Sequence, residues 1–215
     1  MKSYKIVLAA AVLVAAGYFA IRTFVQPPMF AKALTVAEKQ SCGTTAEVTE
    51  GPYFVSGMPE LKGGQLNFTG LPGRPLTVSG HVYAGTGDSK PIANAIVEIW
   101  HADNSGAYHP NNNGPASQYA SADLALRGFV KTGADGLYRL TTIYPGEYSG
   151  RTRHIHIKIR APGKDELTTQ LIVPSLAGDA LTFDEDTVSH GLPNCHLLKI
   201  DSSASPATAS FDFRL

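Results

Sequence analysis

Hydrophobic and polar positions alternate strictly in the segment HIHIKIR, residues 154–160. Successive side chains of a β-strand point to opposite faces of its sheet. The alternation therefore predicts a strand whose three isoleucines share one face, which packs in a core. His154 and His156 share the opposite face, so the pattern places two imidazoles side by side outside the predicted core.

Similar short runs recur along the chain, with turn residues between them. Further strands are predicted at 76–84, 95–102, 128–132, 137–143, 167–173, 196–200 and 209–215. The GADG segment before residue 137 indicates a hairpin between the strands that flank it. No stretch shows a sustained helical period. Short strands at this spacing predict an all-β fold, a β-sandwich of mostly antiparallel strands with long loops.

The first 33 residues predict a targeting segment rather than part of this fold. Lys2 and Lys5 precede an apolar run at residues 6–21, which is typical of a secretory signal. The run of about 16 residues is slightly short for a membrane span. An Ala-x-Ala site at 31–33 lies further from the run than a cleavage site usually does. The segment is therefore a signal peptide or an N-terminal membrane-anchor helix, and a buried core helix is the alternative. Export to the periplasm, the extracellular space or the outward membrane face is the expectation.

An arm or linker is expected at 34–50, followed by one β-domain at 51–215. The chain has two cysteines, Cys42 and Cys195, far apart in sequence. In an oxidising compartment such a pair forms a disulfide, here tying the arm to a late loop. The alternative is two unrelated thiols. Neither cysteine belongs to a CxxC pair, so a metal-binding role is less expected.

The charge balance excludes one class of partner. Lys and Arg total 18 and Asp and Glu total 18, so the net charge is zero. A nucleic-acid partner, which favours an excess of basic residues, is therefore not indicated. The 21 glycines and 14 prolines suit a fold of short strands and turns. The composition leaves open whether the chain forms a homo-oligomer.

The two histidines of the alternating strand are a candidate metal site. Imidazoles two residues apart on one strand face lie close enough to bind one ion, and neutral imidazole is a common ligand of Zn, Cu and Fe. The alternative is a solvated polar face, because Lys158 and Arg160 continue the alternation toward water. A cupin-like divalent-metal site needs an acidic ligand as well, and Glu166 follows only beyond a Pro-Gly turn.

Two tyrosines stand close to these histidines in the predicted fold. Tyr148 follows a Pro-Gly turn just before the histidine strand, and Tyr108 lies in the long polar loop 103–127. A loop of this length in a compact domain is usually functional. A phenolate is a hard anionic donor suited to Fe(III), and a trivalent ion lowers the phenol pKa from about 10 far enough to ionise it. Ordinary packing is the alternative role for each tyrosine.

Several segments together resemble the intradiol ring-cleavage dioxygenases, the superfamily of the catechol 1,2- and protocatechuate 3,4-dioxygenases. They are VEIWHADNSGAY, LRGFVKTGADGLYRLTTIYPGEYSGRTRHIHIKI and TTQL, in this order. EGPYFVSG at 50–57 resembles the segment that precedes the first strand in this family. The resemblance extends from about Glu50 to Val173.

The resemblance implies a non-haem Fe(III) ion held by Tyr108, Tyr148, His154 and His156. It implies an enzyme that uses O2 to cleave a catechol-type ring between its two hydroxylated carbons. The product is a cis,cis-muconate-type diacid. The substrates implied are thus a small aromatic diol and O2.

The resemblance also implies roles for three further groups. Arg151 matches the active-site arginine, which would stabilise negative charge developing on the ring. Gln170 matches a glutamine that positions the ring, and Tyr148 matches the ligand that leaves the iron and serves as a base. Tyr53 and Trp100 could stack on an aromatic substrate, and core packing is the expected role for Trp100.

Some features depart from the cytosolic members of this family. Arg153 stands where those members generally carry a small residue, and it either alters the pocket or points away from it. With its export signal and without an N-terminal helical dimerisation segment, the chain is most similar to a secreted, single-domain branch. The alternative is an exported β-sandwich binding module with a vestigial or divalent-metal site. Four other histidines are expected on the surface or behind the ligands: His101, His109, His190 and His196.

Overall fold

The alternating runs of the sequence form two β-sheets that contribute apolar side chains to one core. The structure is a computed structural model that describes residues 40–87, 89–148, 150–203 and 205–215. The predicted signal or anchor at 1–33 lies outside the described residues. Within them, no helix is long and apolar enough to cross a membrane.

Eleven strands occur among the described residues, together with short 3-10 helices and no α-helix. The strands are β1 Gln40–Ser41, β2 Val55–Ser56, β3 Pro75–Tyr83, β4 Ile96–Trp100, β5 Gly114–Pro115, β6 Arg127–Lys131, β7 Leu137–Ile143, β8 His154–Arg160, β9 Leu167–Ile172, β10 Ile200–Asp201 and β11 Ala207–Arg214. The 3-10 helices are Lys62–Gly64, Ala116–Gln118, Ser121–Asp123, Ser189–Gly191 and Asn194–His196. The predicted all-β class is confirmed.

The first sheet has four antiparallel strands in the order β6-β4-β8-β9. The second has the order β1-β11-β3-β7, with β10 also pairing with β11. In the second sheet β11 runs parallel to both β1 and β3, while β7 and β10 are antiparallel to their neighbours. A small parallel pair, β2-β5, completes the fold. Most of these pairings are antiparallel, as the strand pattern predicted.

One hydrophobic cluster draws on both large sheets. It includes Val97 and Ile157 from the first sheet and Phe211 and Phe213 from the second. Burial of apolar area of this kind is the main stabilising contribution in folding, at about 25 cal/mol per Å². The isoleucines of β8 lie in this cluster, so the opposite face of the strand is left for the polar side chains.

The alternative of a solvated polar face on β8 fails at Lys158, although the Arg160 side chain at the end of the strand remains 40% exposed. Lys158 is buried and pairs with Glu50 and Glu166, at 2.5 and 2.9 Å from its Nζ atom. Arg160 is partly buried and pairs with Glu98. The carboxylates come from the segment before β2 and from the turn that follows β8, and they compensate the buried charge of Lys158.

The predicted hairpin at GADG is also wrong, although the tight turn is present. The amide of Gly136 donates to the carbonyl of Gly133 at 2.9 Å. The two flanking strands then part, since β6 joins the first sheet and β7 pairs with β3 in the second. The turn is a local feature, whereas the choice of sheet depends on which core face each strand completes.

Two further expectations need correction. The segment 196–200 is mostly not a strand: a 3-10 helix ends at His196, and only Ile200 enters β10. The described part of the expected linker, residues 40–50, belongs to the domain. Within it β1 pairs with β11, and the amide of Val48 donates to the carbonyl of Thr168 at 2.9 Å.

Candidate metal and active site

The site begins with the register of the first sheet. His154 and His156 lie on β8, and His156 is opposite Trp100 of β4 and Gln170 of β9. Directly opposite residues of antiparallel strands project to the same face. Pairing therefore brings Gln170 beside the two histidines.

The loop that leaves β4 carries Tyr108. Asp103 organises this loop, because its carboxylate accepts hydrogen bonds from the amides of Ser105 and Ala107. The ring of His109 lies 2.8 Å from the same carboxylate. Partial burial works against ionisation of Asp103, but these hydrogen bonds outweigh it and lower its pKa to about 2.

The turn between β7 and β8 carries Tyr148 and packs against the Tyr108 loop, backbone to backbone. The amide of Gly146 donates to the carbonyl of Asp103 at 2.7 Å. A Cβ atom at Gly106 would overlap the carbonyl oxygen of Glu147, and Gly106 has φ +88°. Glycine is therefore required for the two tyrosine loops to approach this closely.

The four predicted ligand atoms converge on one point of the structure. His154 Nε2 and His156 Nε2 are 3.1 Å apart. The Tyr108 hydroxyl is 3.0 Å from His156 Nε2, and the Tyr148 hydroxyl is 3.4 Å from His154 Nε2. Four donor atoms from three separate segments thus share one small volume, as the ligands of one ion do.

The donor set fits a trivalent metal ion. His154 Nδ1 donates to the carbonyl of Thr152 at 2.6 Å, which leaves the lone pair of Nε2 facing the other donors. Two imidazoles and two phenols supply neutral nitrogen and hard oxygen ligands, a combination suited to iron. Tyr108 and both histidines are buried, so a bound ion would be largely shielded from solvent.

Burial also determines the charge of the four donor groups. Burial lowers the pKa of His154 to about 3 and places that of His156 well below its usual range. Burial raises the pKa of both Tyr108 and Tyr148. Without an ion the imidazoles are therefore neutral and the phenols are protonated. A metal cation would supply the charge that ionised phenols need.

Arg151 and Gln170 contact each other beside the donor atoms. Arg151 Nη2 donates to Gln170 Oε1 at 2.7 Å, and the Gln170 amide nitrogen lies 3.5 Å from His156 Nδ1. Arg151 also lies close enough to the Tyr148 hydroxyl to favour its ionised form. The structure thus brings both predicted polar substrate-binding residues to the same edge of the site.

Aromatic rings line the rest of the site. Tyr53 stacks on Tyr108 with ring centroids 4.3 Å apart, and its edge faces Tyr148 at 5.8 Å. Trp100 is buried and stacks on His156 at 4.8 Å, with 9° between the ring planes. Trp100 therefore has the packing role expected for it, and the ring it packs against belongs to His156, a candidate ligand.

Sequence reasoning missed Arg127, which is buried beneath the Tyr108 loop. Its guanidinium donates to the carbonyls of Tyr53, His109 and Pro110. Burial lowers its pKa to about 10. Arg127 therefore holds the backbone next to Tyr108 and the residue that stacks on it. An arginine at the start of a strand carries no local signal of that role.

The remaining histidines divide into two groups. His190 is exposed, and His109 is half-buried against Asp103. His101 and His196 are buried. The imidazole of His101 lies 2.6 Å from the Thr142 hydroxyl, and His196 Nδ1 donates to the carbonyl of Gln170 at 2.9 Å.

Arg153 bonds to residues outside the donor set. Its guanidinium pairs with Asp179 and donates to the carbonyl of Pro145 at 2.6 Å. Arg153 thereby links the Tyr148 turn to the loop that follows β9. The sequence left open whether Arg153 alters the pocket or points away from it. Its side chain points away, toward the loop that follows β9.

A second cluster with metal-ligand chemistry contains Cys42, Cys195 and His196. The two cysteines form a disulfide, with their sulfur atoms 2.02 Å apart. Disulfide sulfurs are not thiolate ligands, because the thiolate is the form that binds metals. The convergence of Tyr108, Tyr148, His154 and His156 is therefore the candidate metal centre.

Comparison with known proteins identifies the family of this chain. A family model described as "Dioxygenase" matches residues 49–215. The chain belongs to the intradiol dioxygenase family. It is similar to a catechol 1,2-dioxygenase of Acinetobacter lwoffii, with 32% identity over 66% of this chain and 55% of that protein. It is also similar to a 6-chlorohydroxyquinol 1,2-dioxygenase of Cupriavidus pinatubonensis, with 34% identity over 64% of this chain and 54% of that protein.

The chain spans about half the length of the curated relatives it matches. One solved structure is matched over nearly its whole length. It is the dioxygenase domain of a dioxygenase–carbohydrate-binding fusion protein from Streptomyces sp. SirexAA-E. That domain has a TM-score of 0.64 and 37% identity, and the match covers 80% of this chain and 97% of that one.

Proposed function

We propose that the chain is a non-haem Fe(III) intradiol dioxygenase that cleaves a catechol-type ring between its two hydroxylated carbons. The observation that carries this proposal is the convergence of two imidazole nitrogens and two phenol oxygens within 3.0–3.4 Å contacts. All four ligand positions are filled, so the site does not favour a vestigial binding module. The absence of a carboxylate from this donor set disfavours a cupin-like site.

Tyr108, Tyr148, His154 and His156 would hold the ion. When bound, Fe(III) would supply the Lewis acidity that makes the ring of a coordinated catechol reactive toward O2. The chain's own part is to keep the imidazoles neutral, which burial and the Thr152 carbonyl achieve.

Tyr148 is the residue best placed to exchange with substrate. It is half-buried, whereas Tyr108 is buried at 3% exposure. Burial raises its pKa, so an ionised Tyr148 would be a strong base for a catechol proton. Tyr108 would stay in place, because Tyr53 covers its ring and Arg127 holds the backbone carbonyl of the next residue, His109.

Arg151, Gln170 and Tyr53 would orient the aromatic ring. The guanidinium of Arg151 offers a fixed positive charge where negative charge develops on the substrate. Gln170, held by Arg151, would present its amide beside the ring. Tyr53 offers a flat aromatic surface at the partly exposed edge of the site. The product would be a single ring-opened molecule, a cis,cis-muconate-type diacid.

We further propose that the enzyme acts outside the cytoplasm, exported by residues 1–33 and either released or anchored through residues 6–21. The apolar run behind two lysines supports export, and a disulfide is typical of an oxidising compartment. Cell fractionation of the tagged full chain tests this. Recovery in the cytosol with free thiols would contradict it.

A visible spectrum of the purified full chain loaded with Fe(III) tests the proposed activity. Two tyrosinate ligands should give a strong charge-transfer band, which should move to longer wavelength when catechol is added. Oxygen uptake and the appearance of the ring-opened diacid should follow. A protein that stays colourless with Fe(III) would contradict the ligand set.

Single variants assign that band to its ligands. Tyr108→Phe and Tyr148→Phe should each weaken it, because each removes one phenolate. Tyr83→Phe, in the second sheet, is the matched control and should leave it unchanged. Dialysis against an equal mixture of Zn(II) and Fe(III) tests the divalent-metal alternative, and retention of Zn(II) in place of Fe(III) would favour that alternative.

A further inference from the structure

The loop that follows β9 places a buried carboxylate directly behind the predicted active-site arginine. We propose that Asp186 is a positioning residue that sets the orientation of Arg151, and through it of Gln170, toward the bound ring. This inference rests on the proposed function. Asp186 is fully buried, and Arg151 Nε donates to both of its carboxylate oxygens at 3.1 and 3.0 Å.

The carboxylate is itself held rigidly. It accepts hydrogen bonds from the amides of Thr152, Val188 and Ser189, at 2.8, 2.9 and 3.1 Å. The Ser189 hydroxyl adds a fourth, at 3.0 Å. These donors keep Asp186 ionised, because hydrogen bonds to a carboxylate stabilise its charged form. Thr152 lies just before β8, whereas Val188 and Ser189 lie in the loop that follows β9. Donors from both segments therefore fix the position of the carboxylate relative to the site.

A fixed partner at Nε determines where the rest of the guanidinium points. The group is planar and its donors have a rigid fork geometry. With Nε held by Asp186, Nη2 reaches Gln170 Oε1 at 2.7 Å, and the group stays near the Tyr148 hydroxyl. Asp186 thus acts on two substrate-facing side chains without contacting the substrate itself.

The same loop contains a matched pair that lacks this connection. Asp179 pairs with Arg153, whose remaining hydrogen bond goes to the carbonyl of Pro145. Both pairs attach the loop to the segment just before His154, and in both the arginine side chain is 14% exposed. Only the Asp186 pair includes a residue that also contacts Gln170. Comparing the two pairs separates positioning of the site from attachment of the loop.

The experiment compares Asp186→Asn with Asp179→Asn in the Fe(III)-loaded full chain. For Asp186→Asn we expect kcat with catechol to fall about 10- to 100-fold, with a smaller change in KM, because a misplaced arginine stabilises the transition state less well. For Asp179→Asn we expect kcat to change by less than about threefold, even if its thermal midpoint falls as far as that of Asp186→Asn. Equal kcat in Asp186→Asn and the wild type would overturn the proposal.

A double-mutant cycle shows whether Asp186 acts through Arg151. In the Arg151→Gln background, adding Asp186→Asn should lower kcat by less than about threefold, since the group to be positioned is already gone. A further loss as large as in the wild-type background would overturn the proposal. The catechol-induced band should persist in Asp186→Asn, which shows that iron and substrate still bind.

Two measurements keep the test decisive where Asp186→Asn folds poorly. Arg151→Lys keeps the charge but lacks the fork that Asp186 holds, so we expect a similar loss of kcat, and a wild-type rate would overturn the proposal. In the iron-free full chain, the Arg151 Nε–H NMR signal should be protected from exchange in wild type and Asp179→Asn and lost in Asp186→Glu. An unchanged signal in Asp186→Glu would contradict the positioning role.

Failure of the proposed function would look different from failure of this inference. A wild-type chain that neither binds catechol at Fe(III) nor cleaves it removes the proposed function and this inference with it. A wild-type chain that cleaves catechol, with Asp186→Asn equally active, removes this inference alone.

Discussion

Burial decides the protonation state of single residues around the site. His101 shows this outside the proposed ligand set: its Nδ1 donates to the carbonyl of Ala102 at 2.7 Å, and its Nε2 accepts from the Thr142 hydroxyl. Both ring nitrogens are satisfied in the neutral form. Burial lowers its pKa to about 4, from an ordinary value of 6.5.

This shift predicts a pH-dependent contribution to stability. The unfolded chain protonates His101 below pH 6.5 more readily than the folded chain does, so stability is present above that pH. It should be lost as the pH falls toward about 4, by on the order of 3 kcal/mol. Urea unfolding of the iron-free protein between pH 4 and 7 measures this contribution together with those of His154 and His156, whose pKa values burial also lowers.

His101→Gln is the variant that isolates this contribution. Its free energy of unfolding should fall less steeply below pH 6.5 than that of the wild type. The exposed His190→Gln is the control for loss of a histidine. Parallel curves for His101→Gln and the wild type would refute the prediction.

At the scale of elements, the site depends on two loops that interlock across glycines. The Tyr108 loop and the Tyr148 turn each bring one proposed ligand, and they touch through the backbones of Gly106 and Gly146. β8 provides the other two ligands from a strand buried on both faces. Loop packing therefore sets the distance between the phenols and the imidazoles.

Gly106→Ala should disrupt this packing. The new methyl group would overlap the Glu147 carbonyl, and φ +88° strains any residue with a Cβ atom. We expect the free energy of unfolding to fall by about 2 kcal/mol or more, with weaker Fe(III) binding. Thermal unfolding and the metal content after dialysis measure the two effects.

Gly43→Ala is the matched control for that experiment. A Cβ atom there meets nothing within 4 Å. Its stability and metal content should therefore equal those of the wild type. If Gly106→Ala also retained both, the glycine contact between the two loops would not limit the site.

At the scale of the whole molecule, the disulfide joins the start of the domain to its last third. Cys42 and Cys195 are separated by 153 residues. A crosslink over a long loop restricts the unfolded chain strongly and typically contributes 2–4 kcal/mol. The bond also lies next to His196, which donates to the carbonyl of Gln170 in the site.

Cys42→Ala with Cys195→Ala should therefore lower the free energy of unfolding by roughly 2–4 kcal/mol. Guanidinium unfolding with and without a reductant measures this. The reductant should shift the midpoint of the wild type toward that of the double variant and leave the variant unchanged. A wild-type midpoint equal to that of the variant without reductant would disprove the contribution.

Strand alternation by itself determined much of this protein. The bounds of β7 and β8 match the pattern, because a period of two is a local property of each strand. The two histidines, and the tyrosines beside turns, were visible as candidates for the same reason. The resemblance to the intradiol dioxygenases gives these four residues one implied role, that of ligands to a single ion.

Only the tertiary structure decided which distant groups meet. The GADG turn is local, but β6 and β7 enter different sheets because each completes a different part of the core. Lys158 is buried because Glu50 and Glu166 are brought to it by the fold. Asp186 lies 35 residues from Arg151 in sequence, in a segment without periodicity. Such pairings depend on which loops close over a strand, and no local pattern encodes that.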